Sequence, residues 1–383
     1  MAAHRLPVVG LLAVPALACA QFSFVEVASF PAGPGPSGVA VADFDEDGRP
    51  DLVAANDGVP TVSVLIAEPG LRFAPPVAYP TEGGSRAGHR AQPIATGDFN
   101  GDGHIDFAVT NQYGSFFVSV FLGTGDGTFL PEAIYSTGTC PVSVIAADVD
   151  GDDTLDLVTA NFEDDSVSVL IGAGDGSFLP RADIPSPQRA TAIITADFDS
   201  DGHPDLAMTN LDPPALIVHR GLGSAGFGPP VSYPLDGGPW SATVGDFNRD
   251  GHPDIATANQ WGRSVSVLLG FGDGTFESAV AYPVPDIPGY LAKPNSIVSA
   301  DLDHDGNLDL AVADHDGGAV DLFHGNADGT FQLAQIVRVG SSTSTVAATD
   351  FNRDGRMDIA ALDYYWETVS LLLADEIFAG AFE

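Results

Sequence analysis

The chain has 383 residues, with 52 Asp plus Glu against 14 Lys plus Arg, a formal net charge of −38. Such a polyanion lacks the cations that displace phosphate counterions or hold a protein to anionic lipid, which argues against nucleic-acid and membrane-surface partners. Hydrophobic residues make up 44%, enough for a large core, and 44 Gly with 29 Pro favour many turns over long helices.

The chain opens MAAHRLPVVGLLAVPALACA. Arg5 supplies a positive start, 6–17 is apolar, and Ala18, Cys19 and Ala20 are small residues before Gln21. This pattern predicts a signal peptide over residues 1–20 and a secreted or periplasmic product. The apolar run is too short for a comfortable transmembrane segment. After cleavage Cys140 is the one remaining cysteine, so no intrachain disulfide is expected, and Cys140 reads as a small buried residue.

A nine-residue motif then recurs seven times: DFDEDGRPD, DFNGDGHID, DVDGDDTLD, DFDSDGHPD, DFNRDGHPD, DLDHDGNLD and DFNRDGRMD. The copies begin at Asp43, Asp98, Asp148, Asp197, Asp246, Asp301 and Asp350, at intervals of 55, 50, 49, 49, 55 and 49 residues. In each unit a short apolar stretch (SVIAAD, 143–148) enters the loop and another (DLVTAN, 156–161) leaves it. A third (SVSVLIG, 166–172), a turn (GDGSF, 174–178) and a more polar fourth stretch follow. These stretches are rich in Val, Ile, Ala and Thr with signs of period-two alternation, which is strand chemistry. Seven units of four strands predict an all-β, seven-bladed β-propeller. Only two strands follow the seventh loop, and QFSFVEVASF (21–30) reads as a fourth strand, so the N-terminal strand is expected to close the last blade. The propeller is placed at 21–374 and a C-terminal tail at 375–383.

Four oxygen side chains at positions 1, 3, 5 and 9 of each loop repel one another unless a cation lies between them. The predicted ligands are Asp43, Asp45, Asp47 and Asp51; Asp98, Asn100, Asp102 and Asp106; Asp148, Asp150, Asp152 and Asp156; and Asp197, Asp199, Asp201 and Asp205. Then come Asp246, Asn248, Asp250 and Asp254; Asp301, Asp303, Asp305 and Asp309; and Asp350, Asn352, Asp354 and Asp358. Hard oxygen donors suit calcium, up to seven ions, and no Cys joins the loops to favour zinc. The set contains 25 Asp and 3 Asn, so most of the excess negative charge sits here. Position 6 is Gly except at Asp153, where the chain needs φ > 0. Position 12 holds no Glu and the flanks are strands, so these are not EF-hands.

On the strings DFNGDGHIDFAVTN (98–111) and SVSVLLGFGDGTF (264–276), the units resemble FG-GAP/VCBS repeats, the calcium-loop propeller repeats also seen in integrin α chains. The resemblance covers 21–374 and implies a calcium-binding propeller, in a family of adhesion modules, lectins and domains of larger enzymes. Departures are Asp153, AEPGLRF (67–73) and GSAGF (223–227) in place of GDGTF, and a seventh unit with no such turn.

With strands running up and down, the acidic loops and GDGTF turns share one face. The other face collects Tyr113, Phe162, Trp261, Tyr364, Tyr365 and Trp366, with Trp240, Tyr290, Arg86, Arg90, Arg189, Arg263 and Lys293. Both longer units carry their extra residues there, at 81–93 and 285–296. Tyr113, Trp240, Trp261, Tyr290, Tyr365 and Trp366 are the candidate ligand residues, able to stack on sugars or anchor a protein. HExxH, GxSxG and GK[ST] are absent, and GLGSAG (221–226) occupies a turn. His104, His203, His252 and His304 sit in the loops at non-ligand positions. The expected function is a monomeric, non-enzymatic binding or adhesion module for a glycan or protein. The alternative is a carbohydrate-active enzyme acting on the far face or in the central channel.

Overall fold

The short apolar stretches form seven four-stranded antiparallel sheets. A computed structural model describes residues 23–374 apart from 58, 83–93, 112–115 and 187–188. The third blade is typical: Pro141–Ala147, Asp156–Asn161, Ser166–Leu170 and Ala182–Pro185 pair in sequence order. The first strands of the blades pack side by side and close into a ring, Pro36–Ala42 meeting both Ile94–Gly97 and Thr343–Thr349. They line the central channel. The predicted signal peptide and tail lie outside the described residues.

Burial explains the composition of each strand. The second strands, such as Asp51–Asn56 and Asp156–Asn161, are buried at every residue because a neighbouring blade covers each face. They read as continuous small apolar runs for that reason. Period-two alternation survives only outside, where Val77–Pro80, Val231–Pro234 and Val280–Pro283 turn one residue inward, Tyr79, Tyr233 and Tyr282. Six described innermost strands share a register shift after their first residue, as between Pro141 and Ser143. This bulge re-aims the chain at the channel rim.

The N-terminal strand closes the ring as expected. Phe24–Pro31 pairs with Thr368–Ala374, Val25 opposite Leu373 and Phe30 opposite Val369. The backbone N–H of Phe24 donates to Gln335 Oε1 at 3.0 Å, and Gln335 Nε2 donates to the Phe24 carbonyl at 2.9 Å. Gln335 belongs to the sixth blade, so this contact latches the closing strand to its neighbour. Among the described residues no helix is long and apolar enough to cross a membrane.

Candidate metal centres and the opposite face

Each acidic loop is built by its own carboxylates. The position 1 aspartate accepts the N–H of position 6 in all seven loops, from Gly48 to Asp43 (2.8 Å) through Gly355 to Asp350 (2.7 Å). Position 5 accepts the N–H of position 7, as from Arg49 to Asp47 at 2.9 Å. Two residues per loop take left-handed backbone. Position 6 is foreseeable, and Asp153 adopts it with φ 69°. Position 4 is glycine only in loops 2 and 3, Gly101 and Gly151, yet Glu46, Ser200, Arg249, His304 and Arg353 take the same conformation with φ near 60°.

Position 9 does more than the spacing suggests. Asp51, Asp106, Asp156, Asp205, Asp254, Asp309 and Asp358 leave the loops as the first residues of the buried second strands. One oxygen accepts the N–H of position 2, as Phe99 to Asp106 at 2.7 Å. The other accepts the N–H after the third strand, as Gly123 to Asp106 at 2.7 Å. The carboxylate thus pins three chain segments together. Burial pushes Asp51, Asp106, Asp156, Asp254 and Asp358 up to about 6 and Asp309 up to about 7, with the loop carboxylates adding to the rise. A bound cation would reverse that cost.

Positions 1, 3 and 9 converge. Ligand oxygens of Asp43, Asp45 and Asp51 lie within 4.8 Å of one another, as do those of Asp148, Asp150 and Asp156, Asp197, Asp199 and Asp205, and Asp301, Asp303 and Asp309. Loops 2, 5 and 7 carry Asn100, Asn248 and Asn352 at position 3, each donating to the position 5 aspartate at 2.8–2.9 Å. Loops with four carboxylates, two backbone turns and room for water fit a six- to eight-coordinate oxygen-loving cation. In the described loops position 5 stands apart from these triads and joins only Asp303 and His324.

The turns on this face couple the blades. Gly127 of blade 2 donates its N–H to the Phe44 carbonyl in loop 1 (3.0 Å), Gly176 to Phe99 (3.0 Å) and Gly274 to Phe198 (2.9 Å). The phenylalanine ending each turn stands edge-on to the loop phenylalanine before it, at 5.3–5.8 Å between ring centres for Phe44–Phe129, Phe99–Phe178, Phe198–Phe276 and Phe247–Phe331. Tyr79, Tyr135, Tyr233 and Tyr282 complete the sets. The recurring F of GDGTF was the legible signal for this coupling. Blade 1 departs from the pattern, its hairpin of Ala67–Glu68 and Arg72–Phe73 leaving a cavity of about 470 Å³ against Phe351 and Arg353 of blade 7.

The opposite face sorts the candidate ligand residues. Trp261, Tyr365 and Trp366 are 62%, 67% and 60% exposed, and Tyr290 is 52% exposed. Trp240 is half-buried at the start of an innermost strand. Tyr113, Arg86 and Arg90 lie outside the described residues. Phe162 packs into the core between blades 3 and 4 with the Arg189 guanidinium over its ring, and Tyr364 donates its hydroxyl to Asp57 at 3.0 Å. Arg263 pairs with Asp286 (3.2 Å) and Lys293 with Asp316 (3.5 Å), so these cations fasten the 285–296 insertion. Ala292 N–H also donates to Asp286 at 2.9 Å. The fastened insertion encloses a depression of about 380 Å³ from Asp286 to Leu291. The central channel holds a cavity of about 370 Å³ between blades 2 and 5, lined among the described residues by aliphatic and threonine side chains such as Ile145, Ile193, Thr195 and Val244. Cys140 is buried as expected.

The FG-GAP-like repeat description matches the sequence at 20–54, 43–109, 98–159, 155–208, 197–257, 250–312 and 301–361. No curated protein matches. Among solved structures, BBS1N in complex with ARL6DN is similar at TM-score 0.64 and 11% identity, covering 92% of this chain and 98% of that one. Virginiamycin B lyase from Staphylococcus aureus is similar at TM-score 0.61 and 12% identity, covering 91% and 99%. The periplasmic gluconolactonase PpgL of Pseudomonas aeruginosa is similar at TM-score 0.60 and 17% identity, covering 80% and 86%. At these identities the likeness shows the fold alone.

Proposed function

Because this chain belongs to the FG-GAP-like repeat family, we propose that it is a calcium-stabilised, exported binding module whose ligand, a glycan or a protein, docks on the face away from the acidic loops. The observation that carries the reading is the set of exposed aromatics, Trp261, Tyr290, Tyr365 and Trp366, on short or fastened loops. Large apolar rings held in water by a rigid frame cost solvation free energy until something covers them. Their flat faces suit sugar rings or the anchor positions of a protein surface. The acidic loops supply calcium sites as scaffold, with positions 1, 3 and 9 as the inner donors and position 5 with water completing the shell.

The channel cavity between blades 2 and 5 is lined by aliphatic and threonine side chains, so the exposed aromatic loops rather than this cavity carry the reading. The fold accommodates both binding and chemistry, as the BBS1N complex and the two enzymes illustrate for their own chains. The test is a glycan array probed with the full chain in millimolar calcium, followed by a pull-down from cell-surface extract. Binding without turnover, weakened by Trp261→Ala or Trp366→Ala, supports the module. Turnover of a bound polysaccharide replaces it with the enzyme reading.

A further inference from the structure

The residue just before the N–H that position 9 accepts at the end of the third strand is aliphatic in five blades: Ile66, Leu122, Ile171, Leu269 and Leu373. In blade 6 it is His324, and its ring is buried. We propose that loop 6 is a mixed nitrogen and oxygen site for a borderline divalent metal, zinc foremost, with His324 as a ligand beside Asp301, Asp303 and Asp309. The inference rests on the reading of the loops as cation sites and goes beyond it in naming a different metal for one of them.

Three observations carry it. First, His324 Nδ1 lies 3.2 Å from Asp303 Oδ2 and 3.4 Å from Asp309 Oδ1, and Nε2 lies 3.9 Å from Asp305 Oδ2. Two donors 3.2–3.4 Å apart subtend roughly 100–108° at an ion about 2.1 Å from each, the spread of a tetrahedral zinc shell. Second, the side chain of Asp303 is only 5% exposed, yet its Oδ2 is buried without accepting a hydrogen bond. Third, the loop has released a donor. In the other six loops the position 5 N–H donates to Oδ1 of position 1, as Asp102 to Asp98 at 3.2 Å. In loop 6 Asp305 N–H donates to Asp303 Oδ1 instead (3.1 Å), and Asp301 Oδ1 is buried with no hydrogen bond.

Calcium takes oxygen and gains little from an imidazole, whereas zinc and its neighbours accept nitrogen and carboxylate together. Blade 4 shows the contrast. Arg220 holds the same position and lies 3.6 Å from Asp199, but a guanidinium neutralises carboxylates and cannot coordinate a metal. His324 can.

The test is a zinc titration of the full chain held in millimolar calcium, followed by calorimetry and by the ring-nitrogen NMR signals of its histidines. Wild type should take up one zinc equivalent over the calcium background, with the ring signals of one buried histidine shifting. His324→Leu, which restores the side chain of the other blades, should weaken that uptake at least about tenfold, since even outer-shell partners of metal ligands cost that much. His304→Ala, on the exposed side of the same loop, should leave it unchanged. Absence of zinc uptake, equal uptake by His324→Leu, or loss in His304→Ala overturns the proposal. If His324→Leu fails to fold, the wild-type ring signals decide alone. Calcium uptake is read in the same samples: calcium bound without zinc sinks this inference only, and zinc bound without calcium sinks the calcium reading only.

Discussion

Asp321 stands where five other blades have Ser63, Ser119, Ser168, Ser266 and Ser370. In four of those blades the serine accepts the amide N–H of a buried asparagine, as Asn111 to Ser119 at 2.9 Å. In blade 6 both partners are carboxylates, Asp314 and Asp321, and neither Asp321 oxygen has a hydrogen bond. Burial, then the Asp314 charge, pushes Asp321 up to about 8. A folded pKa above the unfolded value near 3.9 makes the neutral form the native one. The stability this represents is full below about pH 4 and is lost as pH rises towards 8. Asp321→Ser should therefore raise the melting temperature at pH 8, by about 3 kcal/mol in stability, and change it little at pH 4; scanning calorimetry at both pH values checks this. Asp153 offers a second case. Its φ of 69° costs a residue with Cβ about 1 kcal/mol, so Asp153→Gly should stabilise the chain by that amount in a denaturant titration.

At the level of the loop, position 9 and position 5 are separable. Asp106 is wholly buried and accepts two backbone N–H groups, whereas Asp102 is exposed. Asp106→Asn turns an amide NH₂ towards one of those donors and should cost about 2–3 kcal/mol even in chelator, and more in calcium, where it also loses an inner donor. Asp102→Asn keeps the oxygen that accepts from the His104 N–H (2.9 Å) and gives up the exposed bond from Asn100 (2.8 Å), so its loss should be larger in calcium than in chelator. Thermal melts of both variants with and without chelator separate pin from ligand. An equal loss for Asp102→Asn in chelator would remove position 5 from the metal shell.

The whole ring depends on its seam and on charge. Removing residues 21–31 strips blade 7 of the strand that pairs with Thr368–Ala374 and of the Phe24–Gln335 latch. An unpaired central-length strand invites other chains, so the truncated protein should melt earlier and self-associate in sedimentation runs. Calcium acts on every blade at once. With a net charge of −38, each ion bound only by the folded state adds about 2.7 kcal/mol at a hundredfold excess over its dissociation constant. Chelation should lower the melting temperature by well over 10 °C, and an unchanged melt would leave the loops as metal-free turns.

Blade number and loop positions were determined by the sequence because each is local: a repeat of about 50 residues carries its own turn chemistry and its own hydrophobic strands. The signal at position 6 is of the same kind, down to the tolerance of Asp153. Closure was legible only as a count, a strand missing from the last unit and one to spare before the first, although it pairs the two ends of the chain. What only the tertiary structure decided are relations between units. The double acceptance at Asp106, the Phe44–Phe129 coupling of neighbouring blades, the fastening of Arg263 to Asp286, and the approach of His324 to Asp303 each join segments distant in sequence or set in different blades. No period in the chain announces them. A buried histidine or aspartate reads in sequence like any other polar residue in a strand, and its neighbours across the sheet and in the loop above give it its chemistry.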